Sequence, residues 1–67
     1  MKLRILSDSE VPIRTLNLIR QIFREAVCPT KDMCSSVEGF KSYDSSTDTV
    51  MIGESEVLET YIEVEGR

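Results

Sequence analysis

EVPIRTLNLIRQIFREAVC, residues Glu10–Cys28, carries the clearest periodicity in the chain. At about 100° per residue, Leu16, Ile19, Ile22, Phe23, Ala26 and Val27 gather on one side of a helix. Arg14, Asn17, Arg20, Gln21, Arg24 and Glu25 gather on the other. Such an apolar stripe is broad enough to face a core, and the polar side belongs in water. Pro12 fits only the first turn, because deeper in a helix its ring meets the carbonyl four residues back. Val11 precedes a proline and is turned away from helical geometry, so the helix is expected to begin close to it. Ser7, Asp8 and Ser9 offer oxygens for a cap. Pro29 ends the element by pushing Cys28 out of the helical region.

Outward from the helix, the chain reads as strands. Lys2-Leu3-Arg4-Ile5-Leu6 alternates, which places Leu3 and Ile5 toward the helix and Lys2 and Arg4 on an open face. Pro29–Met33 is a polar connector. Ser36–Tyr43, SVEGFKSY, reads as a weaker strand in which Gly39 marks a bulge. Asp44–Asp48 has the composition of a turn, and Thr49–Ile52 that of a strand closed by Gly53-Glu54-Ser55. In EVLETYIEVE, residues Glu56–Glu65, one face carries Leu58, Thr60, Ile62 and Val64. Val57, Glu59, Tyr61, Glu63 and Glu65 share the other.

The expected fold is a single small α+β domain over residues 1–67. One amphipathic helix packs on a small, mostly antiparallel sheet in the order β-α-β-β-β, with the last three strands forming an antiparallel meander. The first strand either pairs into that sheet or lies at its edge. Glu59, Glu63 and Glu65 repel one another unless bases stand opposite, and Lys2 and Arg4 are the natural partners, which favours pairing of the first and last strands. Without that pairing, the last strand is an edge guarded by charge or offered to a partner. The expected core is Leu3, Ile5, Leu16, Ile19, Ile22, Phe23, Val27, Val50, Ile52, Leu58, Ile62 and Val64. In a chain this short, burial and ordering nearly cancel, so a homodimer, a disulfide or another partner would add needed stability.

Charge is segregated. Residues 1–33 hold six basic and four acidic side chains, whereas residues 34–67 hold two basic and eight acidic ones. A net charge of −4 therefore conceals a basic helix half joined to an acidic sheet half. No run approaches the ~18 apolar residues that span a bilayer, so membrane association is not expected. MKLRILSDSE lacks the apolar stretch and cleavage site of a signal peptide, and the cytoplasm is the expected compartment.

Candidate chemistry is sparse. Cys28 and Cys34 are separated by five residues, not the two of a thioredoxin-type motif, so reduced structural thiols, a disulfide and a minor redox role all stay open. Two cysteines without histidine do not complete a zinc site. Asp44-x-Ser46-x-Asp48 resembles half a calcium loop, but Thr49 and Ser55 stand where glycine and glutamate are required. The serines have no histidine base, and Gly39, Gly53 and Gly66 form no phosphate loop. Neither an enzyme nor a cofactor is expected. The expected function is a non-enzymatic interaction module, an adaptor or small inhibitor, contacting another protein through Arg14, Arg20, Arg24, Glu59, Tyr61 and Glu63. An acidic row of Glu54, Glu56, Glu59, Glu63 and Glu65 would suit a partner with a basic groove. The alternatives are nucleic-acid binding by Arg14, Arg20, Arg24 and Lys31, opposed by a pI near 4.6, and the thiol-redox role.

Overall fold

The computed structural model describes residues 1–26 and 29–65. Strand β1 (Lys2–Ser7) leads to helix α1 (Ile13–Glu25), followed by β2 (Phe40–Asp44), β3 (Thr49–Ile52) and β4 (Leu58–Glu63). This is the expected order, with the helix on a four-stranded mixed sheet.

Pro12 stands just before the helix in extended geometry, and its carbonyl accepts from Thr15 N at 3.0 Å and Leu16 N at 3.1 Å. Among the described residues no side chain caps the first turn. The expected capping oxygens are used elsewhere. Ser7 Oγ donates to Ser9 O at 2.6 Å, and Asp8 Oδ2 accepts from Glu54 N at 3.2 Å. At the other end Ala26 turns extended while its N–H still reaches Ile22 O at 3.1 Å. Val27 and Cys28 lie outside the described residues, so the core role expected of Val27 and the pairing considered for Cys28 do too.

The sheet order is β2-β3-β1-β4, with β1 in the middle. It pairs in parallel with β3, Ile5 beside Val50, and antiparallel with β4, Leu3 beside Ile62. The expected meander is therefore wrong: β2 and β3 form a hairpin, but β4 crosses the end of β1 and pairs on its far side. Two features account for the crossover. Gly53 has φ +82°, a left-handed turn that suits glycine, and the Asp8 carboxylate packs where a Gly53 Cβ would stand. Across the new pairing Lys2 meets Glu63 and Arg4 lies diagonal to Glu59, giving the charge matching that a β3–β4 pairing lacks.

The segment expected as a strand from Ser36 begins instead as turns. Cys34 N reaches Thr30 O and Lys31 O, and Val37 N reaches Cys34 O at 3.0 Å, so these local bonds claim the backbone until Gly39 (φ +79°) releases it into β2. The register slips between Phe40 and Ser42, just beyond the glycine.

Leu3, Ile5, Ile19, Phe23, Val37, Val50, Ile52, Ile62 and Val64 form the core, with Leu16, Ile22, Phe40 and Tyr43 packed around it. Each fully buried side chain contributes on the order of 1.5–3 kcal/mol before ordering costs. The Phe23 ring stands edge-on to Tyr43, with centroids 4.8 Å apart. Tyr43 and Phe40 thus belong to the margin of the core, not to an exposed aromatic surface. Val37 and Cys34 join the interior through the turns, and Leu6 is buried but outside this cluster. Leu58, expected inside, is 42% exposed.

Candidate interaction edge

Hydrogen-bond parity decides which way the backbone of β4 points. Met1 and Val64 exchange both bonds, at 3.1 and 2.8 Å. In an antiparallel ladder bonded and non-bonded pairs alternate, so Ile62, Thr60 and Leu58 bond to β1 while Glu59, Tyr61 and Glu63 turn their N–H and C=O outward. Among the described residues β4 pairs with β1 alone, and this outward row is a sheet edge.

The helix caps one end of it. Arg20 Nε donates to Glu63 O at 3.0 Å, and its Nη1 donates to Asn17 Oδ1. Ile13, Asn17, Arg20 and Arg24 fall within a narrow helical arc, so this flank of α1 runs beside β4. The guanidinium holds the last outward carbonyl, leaving the edge from Val57 to Tyr61 open.

That open length is flanked by apolar side chains. Among the described residues, Ile13 (69% exposed), Val57 (73%), Leu58 (42%) and Tyr61 (50%) account for all the exposed large hydrophobics except Met33. Strand alternation puts Leu58 on the helix side of the sheet and Val57 and Tyr61 on the other. Exposed apolar residues scattered singly need no explanation, but this group borders unpaired backbone.

Charges on the outer face are matched within the chain. Arg4 Nε lies 3.0 Å from Glu59 Oε2, off the direction of a proper hydrogen bond, so the contact is mainly Coulombic. Lys2 Nζ sits 4.7 Å from the Tyr61 ring centroid. The Glu59 carboxylate, accepting from the phenol, pushes the Tyr61 pKa above its ordinary value, and desolvation adds to it. Glu63 stands opposite Lys2, with Oε2 3.9 Å from the Met1 amine.

Of the residues expected to bind a partner, Arg20, Glu59, Tyr61 and Glu63 converge on this edge, and Arg24 follows Arg20 by one turn. Arg14 does not join them. It lines a cleft of ≈ 390 Å³ between the β1–α1 loop, Glu38-Gly39 and the end of β3. That volume suits a small ligand, yet Asp8 is already bonded to Glu54 N, and no described polar groups converge on a reacting atom. Sequence reasoning missed Ile13, Val57 and Leu58. Their apolarity on an acidic strand and at a helix start was the available signal.

The other candidates occupy structural positions. Asp44 Oδ1 accepts from Ser46 N at 3.0 Å and Ser46 Oγ at 2.6 Å, while Asp48 Oδ1 accepts from Tyr43 Oη at 3.0 Å, so both carboxylates of the calcium-like motif hold the hairpin turn. These Ser46 bonds hold the Asp44 pKa below its ordinary value. Cys34 is buried, and burial pushes its thiol pKa up, away from the thiolate that redox chemistry needs. Among the described residues no group of three or more acidic, cysteine or histidine side chains is arranged to hold a metal, and no helix is long and apolar enough to cross a membrane. Compared with known proteins, the chain matches no family model, no curated sequence and no solved structure.

Proposed function

We propose that this chain is a non-enzymatic protein-interaction module, an adaptor or small inhibitor, that engages its partner by strand addition at the β4 edge. The observation that carries this reading is the coincidence of unpaired outward backbone with Ile13, Val57, Leu58 and Tyr61. Backbone hydrogen bonds would supply affinity, and the alternating side chains would supply choice of partner. The free, buried thiol of Cys34 suits a reducing compartment such as the cytoplasm.

The arginine face gives less support to nucleic-acid binding. Arg20 is held on Glu63 and Asn17, and Arg14 shares its cleft with Asp8, Glu10 and Glu38. The idea of an acidic row is weakened by Arg4, which already pairs with Glu59.

Glu59→Pro tests the proposal. The Glu59 N–H points outward, so proline removes a donor from the edge without removing a bond to β1. Tagged wild-type chain should retain a binding partner, whether another protein or untagged copies of itself, that the Glu59→Pro chain loses and an Arg14→Glu chain keeps. Equal retention by Glu59→Pro, with its circular dichroism unchanged, would refute the edge as the contact.

A further inference from the structure

We infer that the occupant of the β4 edge is β4 of a second copy of this chain, antiparallel and centred on Glu59. This names the partner for the interaction reading above and rests on it. The argument is one of register. A two-fold axis through a strand edge pairs outward-facing residues with one another. Centring on Tyr61 would set Glu59 against Glu63 of the second copy, twice over. Centring on Tyr61, or on Thr60 with Val57 set against Glu63 of the second copy, would also require the Glu63 carbonyl, which Arg20 already holds. Centring on Val57 or on Leu58 would draw most of the partners from residues ahead of the strand start at Leu58.

Centring on Glu59 avoids both problems. Each Glu59 exchanges N–H and C=O with the other, and Val57 exchanges with Tyr61 of the second copy. Both outward residues in that second pair are apolar-bodied and half or more exposed in the single chain. On the helix side Leu58 meets Thr60 of the second copy, with Ile13 above. Glu63 falls past the paired length, opposite Ser55. The one like-charge pair left is Glu59 with Glu59, and each of these carboxylates keeps its own Arg4 at 3.0 Å. The Arg20 bond therefore sets where the shared ladder stops. The product is a continuous eight-stranded sheet, two copies of β2-β3-β1-β4 joined at β4.

The contact is small, so association is expected to be weak, with a dissociation constant on the order of 10–100 μM. Sedimentation velocity on wild-type chain from about 1 μM to 1 mM should show monomer passing to dimer. Two cysteine variants read the register. In a hydrogen-bonded pair the Cα atoms stand about 5.5 Å apart, which a disulfide spans. Glu59→Cys should cross-link to itself under oxidised glutathione, with the linked 59–59 peptide found by mass spectrometry. Tyr61→Cys should not, since two copies of that position lie more than ~13 Å apart in this register. Val57→Asp, a change at an exposed site that leaves the fold intact, should weaken dimerisation at least tenfold. A monomer across the whole range would overturn self-pairing, as would 61–61 linkage without 59–59 linkage. Edge-dependent capture of a different protein by a monomeric wild type would keep the interaction reading while sinking this one. Retention of every captured protein by Glu59→Pro would sink both.

Discussion

Substituting Gly53 by alanine should destabilise the domain by two separable routes. Gly53 has φ +82°, where an L-residue costs about 1–2 kcal/mol. The new methyl would also fall within 2.5 Å of Asp8 Oδ1 and Oδ2, a distance no Cβ tolerates. Asp8 must then swing away and release Glu54 N, a bond across 46 residues. That hydrogen bond is solvent-exposed, so its loss is worth about 1 kcal/mol. The single change should therefore cost about 2–3 kcal/mol, and Asp8→Ala alone about 1 kcal/mol. In the double variant the carboxylate is already gone, and the total should equal that of Gly53→Ala alone. The cycle should thus be sub-additive by about 1 kcal/mol. Urea denaturation followed by far-UV circular dichroism, at a fixed low protein concentration, measures all four species. Additivity within about 0.3 kcal/mol would show that Asp8 does not staple the crossover loop, and the account of why β4 leaves β3 would fail.

Phe23→Ala should cost about 3–5 kcal/mol, close to the whole stability expected of a domain this size; a urea midpoint near wild type would mean the helix faces another way. Gln21→Ala, on the exposed side of α1, is the control and should stay within about 0.5 kcal/mol. Cys34, at 1% exposure, should react with iodoacetamide only as fast as the domain opens, so urea below the transition should accelerate the reaction, and immediate labelling in buffer would contradict its burial. Asp44 should titrate below 3.8 by NMR, because Ser46 donates to its ionised form. Its pKa is depressed in the folded state, so its contribution is present above the unfolded value and is lost as pH falls through the folded one. Asp44→Asn should therefore remove that acid-side slope and leave the pH 5–7 range flat, which a stability profile against pH checks.

Periodicity made much of the fold legible. The arc from Leu16 to Phe23 located the helix, and Pro12 and the Pro29 break bounded it to within a few residues of Ile13–Glu25. Alternation in Lys2–Leu6 and Leu58–Glu63 gave both strands and their inward faces, and Lys2 and Arg4 against the glutamates gave their pairing. Asp44–Asp48 was readable as a turn because aspartate and serine bond their own backbone two residues on. Ser36–Gly39 misled because turn bonds between near neighbours leave no period, and Val37 looks the same in a strand as under a turn.

The candidate site divided along the same line. Arg20, Glu59, Tyr61 and Glu63 could be picked from the sequence as polar-face residues, since side-chain direction follows from local geometry alone. That Arg20 would hold the Glu63 carbonyl, and that Arg14 would stand apart over the cleft, could not. Local pattern identified the helix, the strands and the hairpin turn, though not the turns at Ser36–Gly39, because helix and strand periods are properties of neighbouring residues. Beyond the β1–β4 pairing, the strand order, and with it which strand is an edge, followed only from the packing of the whole chain. That choice turned on contacts between distant residues, Asp8 with Gly53 and Glu54, Arg4 with Glu59 and Arg20 with Glu63, whose geometry no local pattern records.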